Sequence, residues 1–182
     1  EAVKPAATLA KKRKRLLRLA TGMLVLAVLA VWAFYNGLVV TAYEITSGKL
    51  PEGACVHIAV VADLHSHTYG KDQRELLGLI KERSPDIIAL AGDIVDDREP
   101  QAGAKLLLQD IMDIAPAYYV SGNHEYWSGE CEEIKRMIGS YGVTVLENER
   151  RYINVNGVRI CICGVDDPEV FEYTDDERLL AL

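Results

Sequence analysis

Three short segments hold the side chains of this chain that could do chemistry together: Asp63-Leu64-His65, Gly92-Asp93-Ile94-Val95-Asp96 and Gly122-Asn123-His124-Glu125. Carboxylate, imidazole and amide oxygen together suit Mn, Fe or Zn, whereas calcium favours an all-oxygen shell. Asp63 and His65 stand two apart, so an extended chain there would point both to one side and let them share an ion. Each segment also has an ordinary reading. Asp after a strand caps helices and makes turns, Gly-Asn is a common turn pair, and a single His is an unremarkable surface residue. Three apolar runs in succession that end on such groups are harder to explain that way. Two divalent ions about 3.5–4 Å apart can clamp a phosphate and generate hydroxide near neutral pH.

The elements needed to position these groups are legible. Val56–Ala62, Asp86–Ala91 and Ala117–Val120 are short apolar runs that read as buried strands. Between them, Lys71–Arg83 and Gln101–Ile114 carry helical spacing, the first with Leu76, Leu77, Leu79 and Ile80 and the second with Leu106, Leu107, Ile111 and Ile114 inward. Gly129–Ser140 reads as a third helix, followed by a short apolar run at Val143–Leu146. Arg150–Val155 and Val158–Cys163 flank Asn156-Gly157, a strong hairpin signal. Alternating strands and helices predict parallel βαβ units, and ligands of open α/β sheets bind beyond the carboxyl ends of the strands. Asp63, Asp93 and Asn123 each follow a strand, so one crevice would collect them.

About half the residues are hydrophobic (49%) and a quarter charged (26%), which marks a globular chain rather than a disordered one. Residues 1–18 hold seven Lys/Arg against Glu1, a local charge of +6; the whole chain is −7, which leaves −13 on residues 19–182. So acidic a body argues against nucleic acid as the main partner. Cys55, Cys131, Cys161 and Cys163 lack zinc-ribbon spacing, and buried free thiols are the expected state. His57, inside the first strand, is expected to be packed, and His67 to face solvent.

Leu19–Tyr35 is free of charge over 17 residues and extends through Val40 to 22, about the length that crosses a bilayer. The basic cluster Lys11–Arg15 just before it predicts a cytoplasmic start, with Trp32 and Tyr35 in an interfacial belt and the body on the extracytoplasmic side. A cleaved signal peptide is the rival, but Ala33-Phe34-Tyr35-Asn36-Gly37 makes a poor cleavage site. The expected organisation is a basic head (1–18), a transmembrane anchor (19–40), a polar linker (41–53) and a domain from 54 to 182.

The three segments, as D-x-H, G-D-x-x-D and G-N-H-E, resemble those of the calcineurin-like metallophosphoesterase superfamily. Val61-Ala62-Asp63-Leu64-His65 and Gly122-Asn123-His124-Glu125-Tyr126-Trp127 are most similar to a membrane-associated bacterial branch of it. The resemblance covers about residues 54–168. It implies an α/β/β/α sandwich, two divalent metal ions (Mn, Fe or Zn) and a phosphate-ester substrate, a phosphomonoester or phosphodiester on an envelope or nucleotide-linked compound. Hydrolysis would proceed by in-line attack of metal-bound hydroxide. Asp63 and His65 would hold the first ion, Asp93 would bridge both and Asn123 would hold the second. His124 would serve the leaving oxygen, oriented by Asp96.

Two departures stand against the pattern. Asp97 occupies the place where G-D-x-x-D-R-G members carry a phosphate-holding Arg, and Arg98, which follows, reads as a solvated loop residue. The family's later His and terminal G-H-x-H block have no counterpart: the histidines are His57, His65, His67 and His124. The domain therefore reads as incomplete at its C-terminus. A membrane-tethered interaction module that keeps the fold without catalysis is the alternative.

Overall fold

A computed structural model describes residues 6–33 and 37–167. Lys4, Tyr35, Asn36 and residues 168–182, on which parts of the sequence reading fall, lie outside them. The chain divides into two compact units, residues 1–39 and 40–182.

The first unit carries one helix, α1 (Ala6–Ala33). Within its span Ala10–Ala33, 24 residues long, an 18-residue window reaches a mean hydropathy of 2.1, apolar enough to cross a membrane, and none of that window is buried in protein.

The second unit is mixed α/β. Its elements run β1 (Ile58–Val61), α2 (Arg74–Glu82), β2 (Ile87–Ala91), α3 (Ala102–Ile111), β3 (Ala117–Val120), α4 (Asn123–Trp127), α5 (Cys131–Ser140), β4 (Thr144–Val145), β5 (Glu149–Val155) and β6 (Val158–Gly164). The first four strands form one parallel sheet in the order β1-β2-β3-β4. The register sets Val61 beside Leu90 and Leu90 beside Tyr119, so these side chains share a face. That face forms the core with Leu107, Leu108 and Ile111 of α3 and Ile134 and Ile138 of α5, all 1% exposed or less. The other face is barer at the β1 edge, where Ile58 and Val60 are exposed by 53% and 66%.

The helices differ from their predicted forms in detail. A 3-10 turn, Lys71–Gln73, precedes α2, and positive φ at Asp72 and Gln73 breaks the helical run there, so that α2 starts at Arg74 rather than Lys71. In α3 the inward trio is Leu107, Leu108 and Ile111, while Leu106 and Ile114 are half-buried. Helix α4 is an addition, a single turn too short for periodicity to reveal.

β5 and β6 pair antiparallel as a separate two-stranded sheet, with Val155 opposite Val158. Asn156 and Gly157 both take positive φ (52° and 81°), which is why Asn-Gly suits this two-residue turn. Cys161 and Cys163 share a face of β6, with sulfurs 3.8 Å apart. Contrary to expectation, that face and Cys55 are exposed and Cys131 is half-buried, all four thiols being free. His57 is likewise exposed rather than packed, because β1 begins one residue after it. His67 faces solvent as expected.

Candidate metal centre

The condition of an extended chain at Asp63 and His65 is not met. β1 stops at Val61, and Asp63, His65 and Ser66 all take positive φ. Left-handed backbone is rare for residues with a Cβ and clusters at functional sites. Here cross-loop hydrogen bonds hold it in place. Asp63 N–H donates to the Gly92 carbonyl at 3.3 Å, His65 N–H to that of Asp93 at 2.8 Å and Ser66 N–H to that of Ile94 at 3.0 Å. The tight loop still keeps the Asp63 carboxylate 3.8 Å from His65 Nε2.

The loop after β2 lies against the loop after β3. Gly92 has φ +83°, and a Cβ there would sit 2.9 Å from the Gly122 Cα. At Gly122 a Cβ would fall onto the Asp93 carboxylate. Both glycines are therefore needed for close approach. Asn123, the first residue of α4, follows directly, and His124 N–H donates to Asp93 Oδ1 at 2.8 Å.

Glu125 ties the two loops together. It is fully buried, and its carboxylate accepts the N–H groups of Asp93 (2.9 Å), Val95 (2.8 Å) and Gly122 (2.8 Å). Burial pushes its pKa up, opposed by those same three donors. Beneath it, burial and then the Glu125 carboxylate keep the phenol of Tyr119 protonated.

The result is a convergence of donors. Ligand atoms of His65, Asp93 and His124 lie within 4.8 Å of one another, as do those of Asp96, Asp97 and His124. The two imidazoles meet edge to face, with centroids 4.3 Å apart. The shortest contact to His124 Nδ1 comes from Asp97 at 2.8 Å; Asp96 is 3.6 Å from that atom and 3.5 Å from His65 Nδ1. Asp96 is turned toward its own backbone, accepting the N–H groups of Arg98 and Glu99. Those of Arg98 first, and then Glu99, hold its pKa below the ordinary carboxylate value, with His124 and His65 adding to the effect. The Arg98 side chain is 87% exposed and pairs with Asp97 at 3.2 Å.

His65 Nδ1 is buried with no hydrogen-bond partner, an expensive state for a polar atom. An orphaned imidazole nitrogen among carboxylates, with a second imidazole beside it, is a donor set suited to a divalent transition metal. Asp63, by contrast, stands at the edge of this group with its side chain 74% exposed.

Three contributors escape sequence reading. Glu125 sits inside a recognised segment without an evident role, and Asp97 is noticed there only as a departure. Gln73 gives no signal at all. Fully buried, it accepts Tyr69 N–H at 2.6 Å and donates to the carbonyls of His67 (2.8 Å) and Gly103 (3.0 Å), clasping the loop that follows His65.

A parallel α/β sheet with carboxylates and imidazoles gathered beyond its strand ends defines an α/β protein with a donor set able to hold a divalent metal ion. The chain belongs to the calcineurin-like phosphoesterase family, whose model matches residues 56–177. Among similar proteins, a transmembrane protein with a metallophosphoesterase domain from Bos taurus is 28% identical, covering 92% of this chain and 41% of its own. The metallophosphoesterase YkoQ of Bacillus subtilis (strain 168) is 33% identical, covering 65% of this chain and 46% of its own. A Caenorhabditis elegans metallophosphoesterase is 34% identical over 62% of this chain and 24% of its own. The chain thus spans less than half the length of each of these relatives.

Proposed function

We propose that the whole protein is a membrane-anchored phosphoesterase that uses two divalent ions (Mn, Fe or Zn) to hydrolyse a phosphomonoester or phosphodiester. The observation that carries this reading is the meeting of His65, Asp93 and His124 within 4.8 Å, with His65 Nδ1 buried and without a hydrogen-bond partner. In this reading Asp63, His65, Asp93 and Asn123 would hold the ions. Such ions supply charge neutralisation and water activation. The chain's own residues do the rest. Asp93 accepts the backbone N–H of His124 and so sets the start of α4. Asp97 takes the hydrogen bond of His124 Nδ1, which leaves Nε2 to serve a phosphate oxygen or the leaving group. Asp96 lies 3.5 Å from His65 Nδ1 and 3.6 Å from His124 Nδ1, between the two imidazoles.

The apolar span of α1 serves as the anchor, with the basic cluster Lys11–Arg15 on the cytoplasmic side and residues 41–182 outside the cytoplasm. An envelope or nucleotide-linked phosphate ester suits an enzyme held at a membrane surface. The relative from Bos taurus, named as a transmembrane protein with a metallophosphoesterase domain, supports the pairing of anchor and domain.

The test is metal content by elemental analysis and hydrolysis of p-nitrophenyl phosphate and bis(p-nitrophenyl) phosphate, beside Asp93→Asn. Bound Mn2+ that is lost in the variant, with turnover following metal, is the expected result. Metal binding indifferent to Asp93→Asn would sink the reading.

A further inference from the structure

Asp166 lies just beyond β6, outside the donor group described above, yet it is only 5% exposed. A buried carboxylate needs donors to offset its lost hydration. Three segments distant in sequence provide them. Ser121 Oγ donates to Oδ1 at 2.6 Å, while Lys135 Nζ and Asn148 Nδ2 each donate to Oδ2 at 3.3 Å. Asp166 returns its own N–H to Asn148 Oδ1 at 3.0 Å. Lys135, 90% withdrawn from solvent, is shared with Glu147 at 3.3 Å and Glu132 at 3.7 Å.

Ser121 matters most in this cluster. It is the single residue between the end of β3 at Val120 and Gly122, and it is 3% exposed. Asn123 and His124 follow two and three residues on. The 2.6 Å separation is in the range of a charge-assisted O–H···O⁻ bond, roughly twice as strong as a neutral one. The strand end that presents α4 is therefore tied to a carboxylate fixed by α5 and by Asn148 in the β4–β5 connection.

We propose that Asp166 is a positioning residue for the site, acting through Ser121 to hold the start of α4 in place. The proposal rests on the reading of that site given above. The side-chain hydrogen bonds of Asp166 go to Ser121, Lys135 and Asn148, none of them assigned to the metals, so its effect passes through the backbone of residues 121–124.

The experiment is amide hydrogen exchange of Gly122–Glu125 in the full chain, corrected for global stability, for Ser121→Ala, Ser121→Thr, Asp166→Asn and Ile80→Ala. Losing a hydrogen bond to a charged acceptor predicts exchange about tenfold faster in Ser121→Ala and Asp166→Asn. Ser121→Thr retains the hydroxyl and should return exchange to within about twofold of wild type. Ile80→Ala, a core truncation in α2, should lower stability without loosening this segment. A Mn2+ titration should then show weaker binding in the same two variants. Exchange in Ser121→Ala equal to wild type, or acceleration of the same size in Ile80→Ala, would overturn the proposal. If wild type binds no Mn2+, the metal reading falls, while the exchange comparison still decides the part played by Asp166.

Discussion

Replacing Glu125 with Gln changes almost no volume and removes one charge, so its outcome isolates what the carboxylate does. In the wild type, one oxygen accepts Asp93 and Gly122 N–H and the other accepts Val95 N–H. A Gln carbonyl can keep the first pair, but its amide NH2 then faces the Val95 N–H, donor against donor. Leaving one buried N–H unpaired costs about 1–3 kcal/mol, and two charge-assisted bonds become neutral ones at about 1 kcal/mol each. Relief of burying a charge, the same burial that raises the Glu125 pKa, offsets part of this. The expected net loss is about 2–3 kcal/mol, a large share of a stability of about 5–15 kcal/mol. Urea unfolding followed through Trp127 in α4 measures it, and a Mn2+ titration of the folded variant should show weaker binding, because both loops slacken together. Stability within about 0.5 kcal/mol of wild type, with unchanged Mn2+ affinity, would refute the reasoning, since surface substitutions alone produce effects of that size.

Other perturbations follow from the same contacts. Gly92→Ala forces a Cβ to 2.9 Å from the Gly122 Cα at φ +83°, and should destabilise by about 2–4 kcal/mol in thermal unfolding. Gly103→Ala would drive a Cβ into the Ser66 carbonyl, displacing the loop that carries His65, so Mn2+ binding should weaken in calorimetry. The Asp86 carboxylate accepts His57 N–H first and the Asn156 side chain second, and both hold its pKa below the ordinary value. A depressed folded-state pKa contributes stability above about pH 3.9, lost as pH falls through the lower folded value. The urea midpoint of wild type should therefore exceed that of Asp86→Asn at pH 6 and converge on it as pH falls through the lowered folded-state pKa; a gap independent of pH would contradict this. For the anchor, the full chain should resist alkaline extraction from membranes while residues 41–182 alone should stay soluble.

The amino-acid sequence by itself determined the elements and the donors. Apolar runs of four to seven residues separated by helical spacing specify parallel strands and their crossovers, because burial imposes those periods directly. Asn156-Gly157 specifies the hairpin register, because few residue pairs tolerate positive φ in succession. The three donor-bearing segments are local strings, so His65, Asp93 and His124 could be read without coordinates. Tertiary structure alone decided which groups meet. Positive φ at Asp63 and His65 replaces the extended geometry expected there, since bonds between the β1 and β2 loops hold what local propensity disfavours. Asp97 rather than Asp96 makes the short contact to His124, a choice between neighbours that depends on loop curvature. Glu125 binds N–H groups 30 and 32 residues away, and Asp166 binds a serine 45 residues away. A buried polar group takes whatever partner the packed chain brings within 3 Å or so, and spacing along a sequence holds no record of that.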